Sequence, residues 1–315
     1  MHFKGLDLNL LVALDALLEH KNVTRAGEHL HVSQSAMSGS LARLRKHFDD
    51  PLLVPLGRQL QRTSVADELM RQVRSILIQI EALVQTQPVF DPAASSRIFK
   101  VMASDYGLTV LVSELLRRVK HIAPSVGVEI LPFSDSPSQS LEEGNIDTLI
   151  IAKEYLSTDH PCELLFQDTF VCVAWSGNPF VGDQISLDQF LTLDHVVVKY
   201  GKRSVSHIEE KFFQSGGFNR RIEVVVTNFS SVPHMIVGTH RIAIMHKRLA
   251  AIYAQTMPLK ILSPPIGTPV VNESMQWHAY RENDPASAWL RAQVRATAAG
   301  LSNEPSTVPT NNGSA

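Results

Sequence analysis

Between Ser33 and Lys46 the chain carries groups of the kind that read and grip a nucleic-acid duplex. The Gln34 amide can bond an adenine edge in bidentate fashion, and Ser33, Ser35 and Ser38 offer hydroxyls that serve several bases. Arg43, Arg45 and Lys46 follow where they can reach phosphates. Thr24 precedes this group, and Arg58 and Arg62 follow it in a stretch that reads as a hairpin, positioned for backbone or minor-groove contact or else as solvated loop arginines. A second set is spread over the rest of the chain: Ser104, Asp105, Tyr106, Phe133, Thr169, Tyr200, Ser204, His207, Asn228, Phe229, His246 and Trp277. Its rings suit stacking on a planar aromatic or phenolic molecule, while Ser104, Thr169, Asn228 or His246 would take that molecule's hydroxyl or carboxylate. Helix amino ends add donors for an anionic group. Each residue alone fits a packed core ring or a satisfied histidine equally well; the cluster carries the reading.

The first set needs a helix to present it. VTRAGEHLHVSQSAMSGSLARLRKHF, from Val23 to Phe48, reads as two short helices joined by a tight turn. Thr24 is expected to cap the first, with Glu28 in its first turn, Val23 as a staple and an end near Leu30. Ser33 caps the second. Met37, Leu41, Leu44 and Phe48 then form one apolar stripe, leaving Ser35, Ser38, Gly39, Ala42 and Lys46 on the other face. Such patterns are short and also occur in ordinary helical hairpins. Leu6 to His20 predicts an amphipathic covering helix. After the break at Asp49-Asp50-Pro51, Leu52 to Val54 and Gln59 to Arg62 predict a two-stranded wing turning through 55–58.

Ala66 to Val84 contains no helix breaker. Leu69, Val73, Ile76, Ile80 and Leu83 form one seam, and Met70, Leu77 and Val84 a second. So wide an apolar face packs either on its own domain or on a partner helix. The second option gives a homodimer showing two recognition helices to a double-stranded operator with two-fold character.

From Arg97 onward strands and helices alternate, predicting a parallel α/β unit, then a second, similar unit after Phe170. Expected strands include Ile98 to Ser104, Glu163 to Gln167, Ile242 to Met245 and Met275 to Tyr280. Expected helices include Leu108 to His121, one near Ser204 to Gln214, and a closing helix capped by Asp284 and reaching about Ala299. Two lobes crossed twice by the chain, at Thr169 and on the return, leave a cleft suited to a small molecule. The organisation is therefore a DNA-binding winged helix-turn-helix at 1–64, a linker and dimerisation helix at 65–90, a two-lobed α/β domain at 91–300, and a disordered tail at 301–315 rich in Ser, Asn, Pro and Thr.

The 315 residues suit two or three domains, and a net charge of −2 gives no global basic bias, so any nucleic-acid surface must be local. Cys162 and Cys172 are the only cysteines, which points to a reducing compartment rather than a disulfide scaffold. No run is long and apolar enough to predict a membrane span, and a cytoplasmic location is expected. There is no G-x-S-x-G, P-loop or H-E-x-x-H, and the 13 histidines show no ligand spacing, so neither an enzyme, a metal site nor a cofactor is expected. A small-molecule binding protein without a DNA role is the competing class; it would need no N-terminal reader.

Five separated segments resemble the LysR-type transcriptional regulators: FKGLDLNLLVALDALL, VSQSAMSGSLARLR, FDPAASSRIF, ILPFSD and QWHAYRENDPASAWLR. They are most similar to the branch of the flavonoid-responsive nodulation regulators and the salicylate-responsive naphthalene regulator. The resemblance covers the chain apart from its tail. It implies a winged helix-turn-helix, a dimerising linker helix and a periplasmic-binding-protein-like effector domain, acting as dimers of dimers that activate transcription when an inducer binds. Such a protein would signal to RNA polymerase by changing how its dimers hold and bend DNA. An inducer-independent member, or one with a non-aromatic ligand, is the alternative within the family. Ser35 stands where the family often has proline, Leu53 and Pro55 depart in the wing, and the linker helix opens Thr63-Ser64-Val65-Ala66. Thr169 stands where the salicylate-responsive type carries histidine, which argues against salicylate itself.

Overall fold

Leu10, Leu14, Leu17 and Leu18 give the first helix the buried face on which the N-terminal unit assembles. The computed structural model describes residues 2–3, 6–57, 59–84, 90–133, 136–199, 213 and 216–303. They divide into two compact units, residues 1–87 with 142–145, and residues 88–141 with 146–315.

In the first unit, strands β1 (His2–Phe3) and β2 (Leu6–Asp7) pair antiparallel ahead of α1 (Asn9–His20). The leucine face of α1 meets Ala26 of α2 (Val23–His29) and Met37, Leu41 and Leu44 of α3 (Gln34–Phe48) in one core. The expected cap of α2 is corrected: Asn22, not Thr24, accepts the Arg25 N–H, at 3.1 Å. Val23 enters the helix so that its side chain packs on this core, which moves the cap two residues toward the N-terminus and leaves Thr24 exposed inside the first turn. Ser33 caps α3 as expected, accepting the Ala36 N–H at 3.2 Å. Gly27 makes the tight join possible, because a Cβ there would stand 3.0 Å from the Val32 carbonyl oxygen.

The wing consists of β3 (Leu53–Leu56) and β4 (Gln59–Arg62), antiparallel, with Leu53 opposite Arg62. Pro55, expected in the turn, lies within β3, and Gly57 sits at φ +62°; Arg58 lies outside the described residues. Helix α4 (Ser64–Val84) follows, with Thr63 Oγ1 accepting the Ala66 N–H at 3.1 Å. The first seam divides in use, while Met70 and Leu77 of the second pack inward. Ala66, Leu69, Met70, Val73 and Leu77 pack on the core of this unit, whereas Ile76 and Ile80 stay 42% and 38% exposed. Arg74, 4% exposed, locks α4 to α1 through Asp15 at 2.8 Å and Glu19 at 2.7 Å.

The second unit opens with β5 (Ile98–Ala103). The helix expected from Leu108 starts earlier, as a single turn α5 (Asp105–Gly107), passes through a π-helical stretch (Leu108–Val112) and continues as α6 (Ser113–Ile122). Then come β6 (Gly127–Leu131), α7 (Pro137–Glu142), β7 (Thr148–Ala152), β8 (Cys162–Asp168) and β9 (Phe170–Trp175). Next are α8 (Leu187–Thr192), β10 (Asp194–Val198), β11 (Arg221–Val226), α9 (Val232–Ile236) and β12 (Ile242–His246). The unit closes with α10 (Lys247–Ala254), β13 (Leu259–Leu262), β14 (Val271–Gln276) and α11 (Pro285–Asn303).

Two five-stranded sheets result, in the orders β6-β5-β7-β14-β8 and β11-β10-β12-β9-β13. In each, the first three strands are parallel; β14 in one and β9 in the other run antiparallel to their neighbours. The fully buried runs TLIIA in β7 and IAIMH in β12 are what a strand covered on both faces requires. The chain passes from the first lobe to the second at Thr169 and returns between β13 and β14, as the two-lobed reading expected.

Several expectations shift. The strand assigned to Met275 to Tyr280 is β14, which ends at Gln276 opposite Cys162; beyond it Tyr280 donates its N–H to His278 Nδ1 in a helical turn. α8, α10 and β13 were not anticipated. The helix expected near Ser204 to Gln214 lies outside the described residues apart from Phe213. Asp284 does cap α11, accepting the Ala286 N–H and the Ser287 hydroxyl, and the helix extends past Ala299. No described helix is long and apolar enough to cross a membrane. No cluster of potential metal ligands occurs among the described residues.

Candidate DNA-reading face and inter-lobe cleft

The apolar stripe of α3 faces its core, and this orients the opposite side outward. Ser33, Gln34 and Ser35 are exposed at the amino end, with Ser38 half-buried one turn later. They are already ordered: the Ser33 and Ser35 hydroxyls lie 3.0 Å apart, and Gln34 Nε2 donates to Ser38 Oγ at 3.2 Å. Gly39 has open space where a Cβ would be, so its small size answers no packing need within this unit.

The cations divide into two kinds. Arg43 and Lys46 are exposed on α3, with Arg43 Nη2 donating to Ser40 Oγ at 3.5 Å. Arg45 instead donates from Nε to the Pro51 carbonyl at 2.8 Å and from Nη2 to that of Leu53 at 2.9 Å, tying the end of α3 to the wing. Arg62 pairs with Asp67 at 2.5 Å and donates to the Leu18 carbonyl at 3.0 Å, pinning the base of the wing to α1. Beside the wing, Lys21, Asn22, Arg25 and Gln59 line a recess of about 430 Å³. Sequence reasoning passed over Lys21 and Arg25 because they flank a helix start rather than follow the reader.

The second set gathers where the lobes meet. Ser104, at the end of β5, spends its hydroxyl on capping, accepting the Gly107 N–H at 3.1 Å. Asp105 reaches across to the segment after β11, where its Oδ2 accepts the Ser230 N–H at 2.7 Å and the Ser230 hydroxyl at 2.9 Å. Asn228 holds that segment in shape, accepting from the Ser231 N–H and hydroxyl at 2.8 and 2.6 Å. Tyr106, 1% exposed, donates its hydroxyl to Asp168 at 2.7 Å, and its ring stacks on His246 with centroids 3.9 Å apart. Phe229 and Phe170 complete the cluster around His246, at 4.5 and 4.8 Å. Tyr106, Phe229 and His246 are thus brought together as a packed junction of the two lobes.

Other members lie elsewhere. Thr169 is exposed at the crossing; its N–H bonds Asp168 and its carbonyl accepts the Lys247 N–H. Phe133 packs on Met102, Leu141 and Leu149 in a separate cluster. Trp277 donates to Glu282 at 2.5 Å beneath the Arg291 guanidinium. Tyr200, Ser204 and His207 lie outside the described residues.

Residues not singled out from the sequence dominate the electrostatics. Burial raises the Asp168 carboxyl above its ordinary value, opposed by bonds from Tyr106, Thr169 and the Arg248 N–H. Burial, with Asp168 and Glu273 adding to it, holds the Tyr106 phenol well above its usual range. Glu273, 1% exposed on β14, is pushed up to about 8 by burial and then by Asp168 and Glu154.

Residues 8–67 match the bacterial regulatory helix-turn-helix of the lysR family, and residues 93–299 match the LysR substrate binding domain. The chain belongs to the LysR family. It is 40% identical to Nodulation protein D of Bradyrhizobium sp. (strain ANU 289), over 98% of this chain and 92% of the relative. To Nodulation protein D 1 of Mesorhizobium japonicum it is 42% identical, over 92% of this chain and 93% of the relative. Among solved structures, a probable transcriptional regulator from Pseudomonas aeruginosa shares the fold with a TM-score of 0.64 at 27% identity, covering 93% of this chain and 97% of that one. This LysR-family chain is a DNA-binding transcription regulator, with α2 and α3 as its helix-turn-helix and the two lobes as its effector-binding domain.

Proposed function

We propose that this regulator binds a two-fold operator as a homodimer, or as a dimer of dimers, and activates transcription in the cytoplasm when an aromatic or phenolic inducer occupies the cleft. Gln34, Ser35 and Ser38 would meet base edges, and Arg43 and Lys46 phosphates, with Arg45 and Arg62 holding the wing in place. Among the described side chains of the seam, Ile76 and Ile80 are exposed and would meet a partner helix. The observation that carries the inducer reading is the inter-lobe junction itself, where Tyr106 stacks on His246 and Asp105 holds Ser230. A planar ligand that competes for these contacts changes lobe closure, and through it the spacing and bend of the DNA contacts seen by RNA polymerase. The resemblance to the flavonoid-responsive nodulation regulators favours phenolics of the flavonoid type. No cofactor is required.

The test is a thermal-shift screen of the full-length protein against flavonoids, simple phenolics, aromatic acids and heteroaromatics, followed by footprinting and DNA-bend measurements with any hit. A phenolic should stabilise the protein and alter the footprint. Footprints and bend angles unchanged by a saturating compound that raises transcription would overturn this account.

A further inference from the structure

Glu273 sits near where the chain returns to the first lobe, and the charged groups that raise it are Asp168 and Glu154. It lies on β14, the strand that brings the chain back into the first lobe, and its Oε1 is buried with no hydrogen-bond partner among the described residues. That oxygen packs against the turn after β5, where a Cβ on Gly107 would stand 3.1 Å from it. The groups that act on it come from every side and are acidic or neutral. They are Asp168 at the end of β8, Glu154 in the turn after β7, and Tyr106 on α5, whose hydroxyl Asp168 already engages. Arg248 on α10 is a cation on this side, but its guanidinium donates to the Leu301 carbonyl at 2.9 Å and lies over the Phe166 ring, while its backbone N–H bonds Asp168 at 3.2 Å.

A carboxylate in so dry a position, beside a second carboxylate and without a donor, takes up a proton rather than remain charged. We propose that Glu273 is a proton-carrying group of the hinge: with its proton it lets the lobes close on the Tyr106–His246 stack, and without it that closure loosens, so the regulator senses pH. Loss of the proton to water puts a second negative charge beside Asp168, the residue that anchors Tyr106. The stack on His246 depends on that anchor. Glu273 lies near 8 in the closed form, above the ordinary 4.5 of a solvated glutamate. A looser form that hydrates Glu273 would bind fewer protons between these values, so this packing weakens as pH rises through that window. Coupling to transcription rests on the cleft being the inducer site; the proton site does not.

Hydrogen exchange on the full-length protein tests this, read in segments 103–112 and 166–170 and corrected for intrinsic exchange rates. The wild type should lose protection roughly tenfold between about pH 6.5 and 8.5, and Glu273→Gln should hold it constant. Equal pH dependence in the two proteins, or flat protection in the wild type, overturns the proposal. A second measurement needs no variant. Infrared spectra of the wild type near pH 6.5 should show a protonated-carboxyl band that disappears above about pH 9, and its absence at the lower pH also overturns the proposal. A hinge that titrates in a protein stabilised by no aromatic compound would remove the inducer reading and leave the proton site standing.

Discussion

Asp105 on one lobe takes both the backbone N–H and the hydroxyl of Ser230 on the other, at 2.7 and 2.9 Å. Asp105→Ala leaves both donors without this acceptor and should lower stability by about 1–3 kcal/mol, while Ser230→Ala, which keeps the N–H bond, should lose less. Thermal unfolding of the full-length variants gives the order. An unchanged midpoint in Asp105→Ala would mean that the contact does not hold the lobes.

Gln34→Ala should relax base preference at one operator position, at a cost of about 1–3 kcal/mol for the matched base. Selection from randomised duplexes with wild type and variant compares the preferences directly, and identical consensus sequences would remove Gln34 from the reader.

Arg43→Ala and Lys46→Ala should each weaken binding across all sequences and reduce the slope of log affinity against log salt by about 1. Arg45→Ala should act differently. Its guanidinium bonds the Pro51 carbonyl and the Leu53 carbonyl of the wing, so the variant should unfold more easily while the salt slope changes little. Salt titrations by fluorescence anisotropy separate the two classes, and a full loss of slope in Arg45→Ala would assign it to phosphate.

Ile76→Asp combined with Ile80→Asp places charge on the exposed part of α4 and spares the residues that pack on α1. Sedimentation velocity should show dissociation to monomers that remain folded. A variant that stays dimeric would place the dimer contact outside this seam.

His195 is fully buried, with Nε2 donating to the Phe190 carbonyl at 2.6 Å. Burial, only partly offset by that bond, lowers it from 6.5 to about 4. The unfolded chain therefore binds a proton that the folded protein refuses between these values, and the stability due to His195 falls as pH drops from 6.5 toward 4. Chemical denaturation across this range should show the decline, and His195→Gln should flatten it. The direction is opposite to that expected for Glu273.

The helix-turn-helix was legible because its signals are local. Ser33, the stripe of Met37, Leu41 and Leu44, and the break at Pro51 lie within a few turns of one another, and the period of a helix converts that spacing into a face. The slip from Asn22 to Thr24 came from the same locality. Both residue types cap helices well, and the choice was made by the burial of Val23 against a core formed with other elements.

The cleft was legible as a set of residue types and illegible as an arrangement. Asn228 and Phe229 were chosen while Ser230, the residue that meets Asp105, was passed over, because no pattern marks which side of a turn faces a partner lobe. α8, α10 and β13 are short and carry too few residues to show a period. Glu273 was not singled out, because it precedes the strand expected from Met275 and nothing near it in sequence marks its burial.

Sequence alone determined the longer elements, the two kinds of unit and the family, since these follow from periodicity, caps and motifs along one chain. Only the tertiary structure decided which cations remain available to DNA, which rings are held at the lobe junction, and that Glu273 is buried beside Asp168. The reason is physical: hydrogen bonding, stacking and desolvation act through space, between groups such as Tyr106 and His246 whose meeting is set by sheet order and by where the chain crosses between lobes.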